Sequence, residues 1–100
     1  MITLVNKVTV TGDLAEFERA HSAVAEFMRV QPGARRFQLL RSAEDPTVFV
    51  EVAEWESRDH HARALAAPGF YERAGVMRSL AEFERAMYDV VRTEEPSSGA

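Results

Sequence analysis

The segment VFVEVAEW, residues 48–55, constrains the fold more than any other part of the chain. Its β-branched and aromatic residues predict a strand. The alternation separates Val48, Val50 and Val52 on one face from Phe49, Glu51, Ala53 and Trp55 on the other. A strand with one face in water alternates apolar with polar residues, whereas both sets here are mostly apolar. Both faces are therefore predicted to be covered, which directs the Glu51 carboxylate into a covered space.

The hydrophobic pattern of the remaining chain predicts an α+β fold. Asp13 and Ser57 are predicted helix N-caps, while Pro32-Gly33 and Pro68-Gly69 end or interrupt helices. The predicted strands are 2–11, 34–42, 47–56 and 86–93, and the predicted helices are 14–31, 58–67 and 70–78. This order is the ferredoxin-like βαββαβ arrangement, a four-stranded antiparallel sheet with its helices on one face.

Length and composition indicate one soluble domain. The chain has 100 residues, of which 46% are hydrophobic and 28% charged. We expect a domain at 1–93 and a disordered tail at 94–100, because EEPSSGA lacks apolar residues. A net charge of −4 disfavours nucleic acid or an anionic membrane as partner, and without cysteine there is no disulfide or thiolate nucleophile. The N-terminus resembles neither a signal peptide nor a membrane span, so we expect a cytoplasmic protein.

The valine face of the sheet predicts a homodimer. With all helices on one face, the other face exposes Val5, Val48, Val50 and Val52. An exposed apolar patch of this size is typical of a protein–protein interface. Two such sheets packed face to face would close an α+β barrel between subunits.

The helix-side face carries polar residues among its apolar ones. Asn6 and Glu51 lie in mid-strand, Trp55 ends its strand, and His21 and His61 face inward from the helices, the latter with Leu65 at i+4. Buried polar groups need partners, since an unpaired one costs about 1–3 kcal/mol. Each residue could be satisfied independently by a neighbour or a water. Several in one small interior instead favour a pocket.

The chain resembles the antibiotic biosynthesis monooxygenase (ABM) family over residues 2 to about 92. The resemblance depends on LVNKVTV, a helix ending in QPG, LLRSAEDP and VFVEVAEWES, in that order and spacing. It implies a dimeric α+β barrel. The fold also hosts quinone-forming monooxygenases, haem-degrading enzymes and cyclases, so fold alone does not assign the reaction.

The resemblance also implies site residues. Asn6 and Trp55 match pocket residues of the family's oxygenases, whereas Glu51 stands where many of those enzymes carry Asn. Ala74 and Gly75 occupy the segment where a haem-degrading enzyme needs His, so haem degradation is not expected. A basic residue follows the second helix in the polyketide enzymes, and Arg73 or Arg78 could serve. The predicted catalytic residues are thus Asn6, Glu51, Trp55 and His61, and the predicted substrate-binding residues are His21, Phe49, Leu65, Arg73 and Arg78.

The implied activity is oxygenation of an aromatic polyketide-like molecule by O2 without a cofactor. The chain has no G-x-G-x-x-G motif or P-loop. The run Asp59-His60-His61 is not expected to bind a metal, because successive helical residues point about 100° apart. Trp55 would support flat rings, Asn6 would donate to an oxyanion, and Glu51 (its pKa raised by burial), His61 or His21 would take a proton. The alternatives are a cyclase or isomerase using general acid–base chemistry, and a non-catalytic aromatic-binding dimer.

Overall fold

The computed structural model describes residues 1–97 and confirms the ferredoxin-like fold. The strands are β1 (Ile2–Val10), β2 (Ala34–Arg41), β3 (Val48–Trp55) and β4 (Ala81–Asp89). The helices are α1 (Leu14–Met28), α2 (Arg58–Ala66) and α3 (Phe70–Arg78). The sheet order is β2-β3-β1-β4, with every neighbouring pair antiparallel.

Local sequence signals explain where the helices begin and end. The Asp13 carboxylate accepts from the amide of Glu16 at 2.9 Å, and the Ser57 hydroxyl accepts from that of His60 at 3.1 Å. Gly69 has φ = 94°, a left-handed conformation that favours glycine, and it separates α2 from α3. Both caps were predicted, and the structure confirms them.

The position of β4 differs from the prediction. The sequence pattern placed this strand at 86–93, but it begins at Ala81 and ends at Asp89. β4 is an edge strand, and the charged residues in AEFERAMYD interrupt the alternation of apolar and polar residues that would identify it. The spacing of these charged residues also fits a helix. Pairing with β1 determines that the segment is a strand and sets its bounds, because the ladder runs from Val10 opposite Ala81 to Ile2 opposite Asp89. Residues 90–97 form neither helix nor strand, and 98–100 of the predicted disordered tail lie outside the described residues.

The helix-side core consists of two clusters. Ile2, Leu4, Ala53 and Trp55 pack with residues of all three helices near one end of the sheet. Val8, Val10 and Phe49 pack with Phe17 of α1 near the other end. Asn6 lies between Leu4 and Val8 on β1, and Glu51 lies between Phe49 and Ala53 on β3. A polar row therefore separates the two clusters.

On the opposite face of the sheet, residues 1–97 place no helix. Val5, Val48, Val50 and Val52 lie on it and are half-buried within the single chain. Leu40 and Tyr88, also on this face, are exposed. No helix among residues 1–97 combines the length and apolar character needed to cross a membrane.

Candidate active site

A cavity of about 740 Å³ lies between the sheet and the helices. Its volume is in the range of small-molecule sites. The apolar part of its wall includes Leu4, Val24, Met28, Phe37, Ala53, Leu65, Phe70 and Phe83. Asn6, Glu51 and Trp55 all line it, as the sequence analysis expected of a pocket. The interior at this level of the sheet is therefore hollow.

Three polar residues cross the floor of the cavity in one row. The strand register places Asn6 of β1 opposite Glu51 of β3 on one side and opposite Arg85 of β4 on the other. All three line the cavity. Neighbouring strands lie about 4.8 Å apart, so the row carries a carboxylate, an amide and a guanidinium at regular intervals.

Two buried polar atoms in the cavity wall have no hydrogen-bond partner among residues 1–97. They are Oδ1 of Asn6, a residue that is 8% exposed, and Nε1 of Trp55, which is 1% exposed. One is an acceptor and the other a donor. Leaving such a group unpaired costs about 1–3 kcal/mol, and retaining it is typical of a site that a ligand completes.

Aromatic neighbours fix the Trp55 ring. The Phe37 ring lies 5.4 Å away between centroids with an interplanar angle of 42°, and the His61 ring lies 5.5 Å away at 68°, edge to face. Both geometries are favourable for aromatic pairs. The indole is therefore held rigidly in the cavity wall, next to an imidazole.

Glu51 is paired with His21 across the cavity. Nε2 of His21 on α1 lies 2.5 Å from Oε2 of Glu51 on β3, and the side chains are 12% and 22% exposed respectively. A carboxylate directed into a partly buried space thus has a hydrogen-bond donor. The pair also connects α1 to the sheet.

His61 is a buried imidazole, 6% exposed. Burial lowers its pKa from the ordinary value of 6.5, the Arg85 charge lowers it further, and the Glu51 charge acts in the opposite direction. The lowered pKa favours the neutral form of His61 at neutral pH. In this form the ring can accept a proton.

The structure brings most of the predicted site residues together. Those that line the cavity are Asn6, His21, Glu51, Trp55, His61, Leu65 and Arg78. Phe49 does not line it, because its ring packs against Phe17 at 5.3 Å in the closed part of the core. Arg73 does not line it either, since its guanidinium donates to the Gly69 carbonyl at 2.8 Å and stacks over Phe27.

The sequence analysis missed Arg85 and Glu18, both of which line the cavity. Arg85 was not predicted to lie on a strand, because the predicted fourth strand began one residue after it. Alternation in AEFERAMYD, continued from Phe83, would have placed Arg85 on the helix side. Among residues 1–97, no three His, Cys, Asp or Glu side chains lie close enough together to hold a metal ion.

Comparisons with known proteins agree with this fold and show the family. The family model described as antibiotic biosynthesis monooxygenase matches residues 1–73. A deoxynogalonate monooxygenase from Streptomyces nogalater is 38% identical over 92 residues, which is 92% of this chain and 78% of that protein. The structure of SnoaB, a cofactor-independent oxygenase from the same organism, matches with a TM-score of 0.89 and 38% identity, covering 92% of this chain and 94% of that one.

A more distant structure supports the fold alone. It is a Nitrosomonas europaea protein assigned to the antibiotic biosynthesis monooxygenases, with a TM-score of 0.80 and 23% identity. The match covers 92% of this chain and all of that chain (100%).

Proposed function

The chain belongs to the antibiotic biosynthesis monooxygenase family, and from this premise we propose that it oxygenates an aromatic polyketide-like molecule, without a cofactor, to a quinone. The observation that carries this proposal is the pair of unpartnered buried atoms, Asn6 Oδ1 and Trp55 Nε1, on the wall of a mostly apolar cavity. A flat phenolic substrate would fill the apolar volume and supply partners to both atoms. The similarity to a cofactor-independent oxygenase supports the reaction class.

In the proposed reaction the substrate supplies all the electrons and O2 accepts them, so no cofactor is needed to balance it. A base removes a proton from the activated carbon of an anthrone or phenol, and the resulting carbanion passes one electron to O2. The substrate radical and superoxide recombine to form a C–O bond, giving a peroxide. Cleavage of its O–O bond with loss of water leaves a carbonyl. Overall, a CH2 group and O2 become a C=O group and water, and the substrate supplies all four electrons.

His61 is the proposed base. Its lowered pKa favours the neutral, proton-accepting form, and its ring lies against Trp55, where the substrate rings would stack. Once protonated, the imidazolium would be stabilised by the Glu51 carboxylate, whose charge already acts on His61. His21 holds that carboxylate in place. His21 is therefore a positioning residue.

Asn6 and Trp55 would bind the developing oxyanion and the rings. The Asn6 amide carries both a donor and an acceptor, and the indole N–H of Trp55 is a second donor. Preorganised donors in a water-poor cavity stabilise negative charge strongly. The surrounding apolar wall would also protect the radical pair from solvent.

We further propose that the enzyme acts as a homodimer through the valine face, defined by Val5, Val48, Val50 and Val52. These side chains are only half-buried within one chain, and no helix in the described part of the chain, residues 1–97, covers them. A second copy packed sheet to sheet would remove them from water, gaining roughly 25 cal/mol per Å² of apolar surface. The cavity lies on the opposite side of the sheet, so dimerisation leaves it accessible.

An oxygen electrode tests the proposed function. Wild-type protein treated with a chelator, with no flavin or metal added, is mixed with 1,8-dihydroxyanthrone, and the uncatalysed oxidation is subtracted. We expect enzyme-dependent uptake of one O2 per quinone formed. Catalysed turnover in the absence of O2 would support a cyclase or isomerase instead. Aromatic binding without any turnover would support a binding protein.

A further inference from the structure

The charged residues of the cavity lining have both signs. Glu18 of α1 and Glu51 of β3 carry the carboxylates, and Arg78 of α3 and Arg85 of β4 carry the guanidinium groups. Because β3 and β4 flank β1 on opposite sides, Asn6 lies between Glu51 and Arg85. A ligand that occupies the whole cavity therefore meets an anionic end and a cationic end.

We propose that Arg85 binds an anionic group, a carboxylate, at one end of the substrate's ring system and so determines which end of the substrate reaches Trp55. This deepens the proposed function and rests on it. The substrate class becomes aromatic carboxylic acids rather than neutral polyphenols. Arg85 is in this account a specificity-determining residue, not the base.

Within residues 1–97, Arg85 is the cavity-lining arginine that has neither an ion-pair nor a cation–π partner. None of the ion pairs within residues 1–97 involves it, whereas Arg35 and Arg36 pair with Glu56 and Glu54. The second cation of the cavity, Arg78, lies over the rings of Phe70 and Tyr71. The N–H donors of the Arg85 guanidinium are therefore available to a ligand, and their geometry allows two parallel hydrogen bonds to a carboxylate.

The surroundings of Arg85 suit a ligand that is apolar except at one end. On the same face of β4 its neighbours are Phe83 and Met87, and across the ladder lies Asn6. Two strand spacings separate Glu51 from Arg85, about 10 Å in total. A linear polycyclic molecule of that length, held at its acid end by Arg85, would place its other rings beside Asn6 and His61.

The electrostatics of His61 support the same assignment. The other titratable or charged residues that line the cavity with it are Glu51, Arg85, His21, Glu18 and Arg78. The Arg85 charge lowers the pKa of His61. A bound carboxylate would cancel part of that charge and allow the pKa to rise. Only an acidic substrate would then strengthen the base.

Binding of a matched pair of probes tests this inference. Anthraquinone-2-carboxylate and the isosteric anthraquinone-2-carboxamide are titrated against the protein, with quenching of Trp55, the only tryptophan, as the signal. We expect wild-type protein to bind the carboxylate roughly tenfold more tightly, as for a charge-assisted pair that is partly exposed. Arg85→Gln should bind both probes within twofold of each other. Arg19→Gln makes the same charge change on α1 outside the cavity wall and should behave like wild type.

The outcomes separate this inference from the proposed function. Equal affinity for both probes in wild-type protein, or a preference that persists in Arg85→Gln, would overturn the role of Arg85 and leave an aromatic-binding cavity intact. Failure of wild-type protein to bind either probe would overturn the cavity as an aromatic site and the role of Arg85 with it. Circular dichroism of each variant verifies that the fold is retained.

Discussion

Nε2 of His21 on the first helix lies 2.5 Å from Oε2 of Glu51 on the third strand, inside the cavity. The contact gives a carboxylate on the sheet a fixed position. Glu51 also acts electrostatically on His61, so one ionised group connects the two histidines of the site.

Replacing Glu51 by Gln should therefore slow the reaction without unfolding the protein. Glutamine can still accept a hydrogen bond from His21, but it offers no charge to stabilise protonated His61. We expect kcat to fall roughly tenfold, with aromatic affinity unchanged. Steady-state oxygen uptake measures the first quantity and Trp55 quenching the second. Glu54→Gln, on the opposite face of β3, is the matched control. Equal losses in the two variants would remove Glu51 from the mechanism.

The stability of the protein should decrease as the pH falls below about 6.5. His61 has a lowered pKa, so in this range the unfolded chain binds more protons than the folded chain, and protonation favours unfolding. The stabilisation is complete above pH 6.5 and is lost progressively below it. Denaturant unfolding of wild type and His61→Gln between pH 5 and 8 measures the difference. The variant should show a flatter profile, and parallel profiles would contradict the prediction.

A separate acid transition belongs to Asp45. Hydrogen bonds from Thr47 lower the pKa of this surface carboxyl from 3.8, so its stabilisation is present above pH 3.8 and lost below that value. The two windows do not overlap. The Asp45 transition therefore lies outside the range, pH 5 to 8, in which wild type and His61→Gln are compared.

Replacing Asn6 by Leu should make the protein more stable and less active. The substitution removes a buried amide whose Oδ1 has no partner and adds apolar contacts of similar volume between Leu4 and Val8. We expect the free energy of unfolding to increase by about 1 kcal/mol, and oxygen uptake to fall at least tenfold. Thermal denaturation and the oxygen electrode measure the two effects. A destabilised but active variant would show that the amide is structural.

Replacing Trp55 by Phe should retain the fold and remove most of the activity. Phenylalanine preserves much of the packing against Phe37, but it lacks the indole N–H and part of the ring surface. We expect at least a tenfold decrease in kcat/KM together with a native circular dichroism spectrum. Turnover equal to that of wild type would exclude Trp55 from the site.

Introducing a charge on the valine face should disrupt the dimer. Val50→Glu places a carboxylate at the centre of the proposed interface, where its partner copy would present the same charge. Light scattering after size exclusion should give the mass of a dimer for wild type and of a monomer for the variant. Val76→Glu, the same change at an exposed position of α3, should remain dimeric. A wild-type protein that is monomeric at micromolar concentration would contradict the interface.

The residues that could be predicted from sequence are those fixed by strong local patterns. Alternation in β1 and β3 directed Asn6, Glu51 and Trp55 to one side, and helical spacing directed His21 and His61 toward them. Arg85 was missed because β4 is an edge strand rich in charge, where the period of two is weak and only the ladder with β1 defines the register. Phe49 does not line the cavity because alternation gives the face of a strand but not the position of the void beneath it. Arg73 lies on α3, and the resemblance left the basic residue after the second helix open between Arg73 and Arg78.

The most direct measurement of the central claim is a single-turnover reaction under ¹⁸O2. Wild-type protein in excess over 1,8-dihydroxyanthrone, with a chelator present and no added cofactor, is quenched and its product is examined by mass spectrometry. We expect one ¹⁸O atom in the quinone, formed faster than in the enzyme-free control, and no product under nitrogen. Product that forms under nitrogen, or enzyme-formed product whose new oxygen comes only from water, would contradict it.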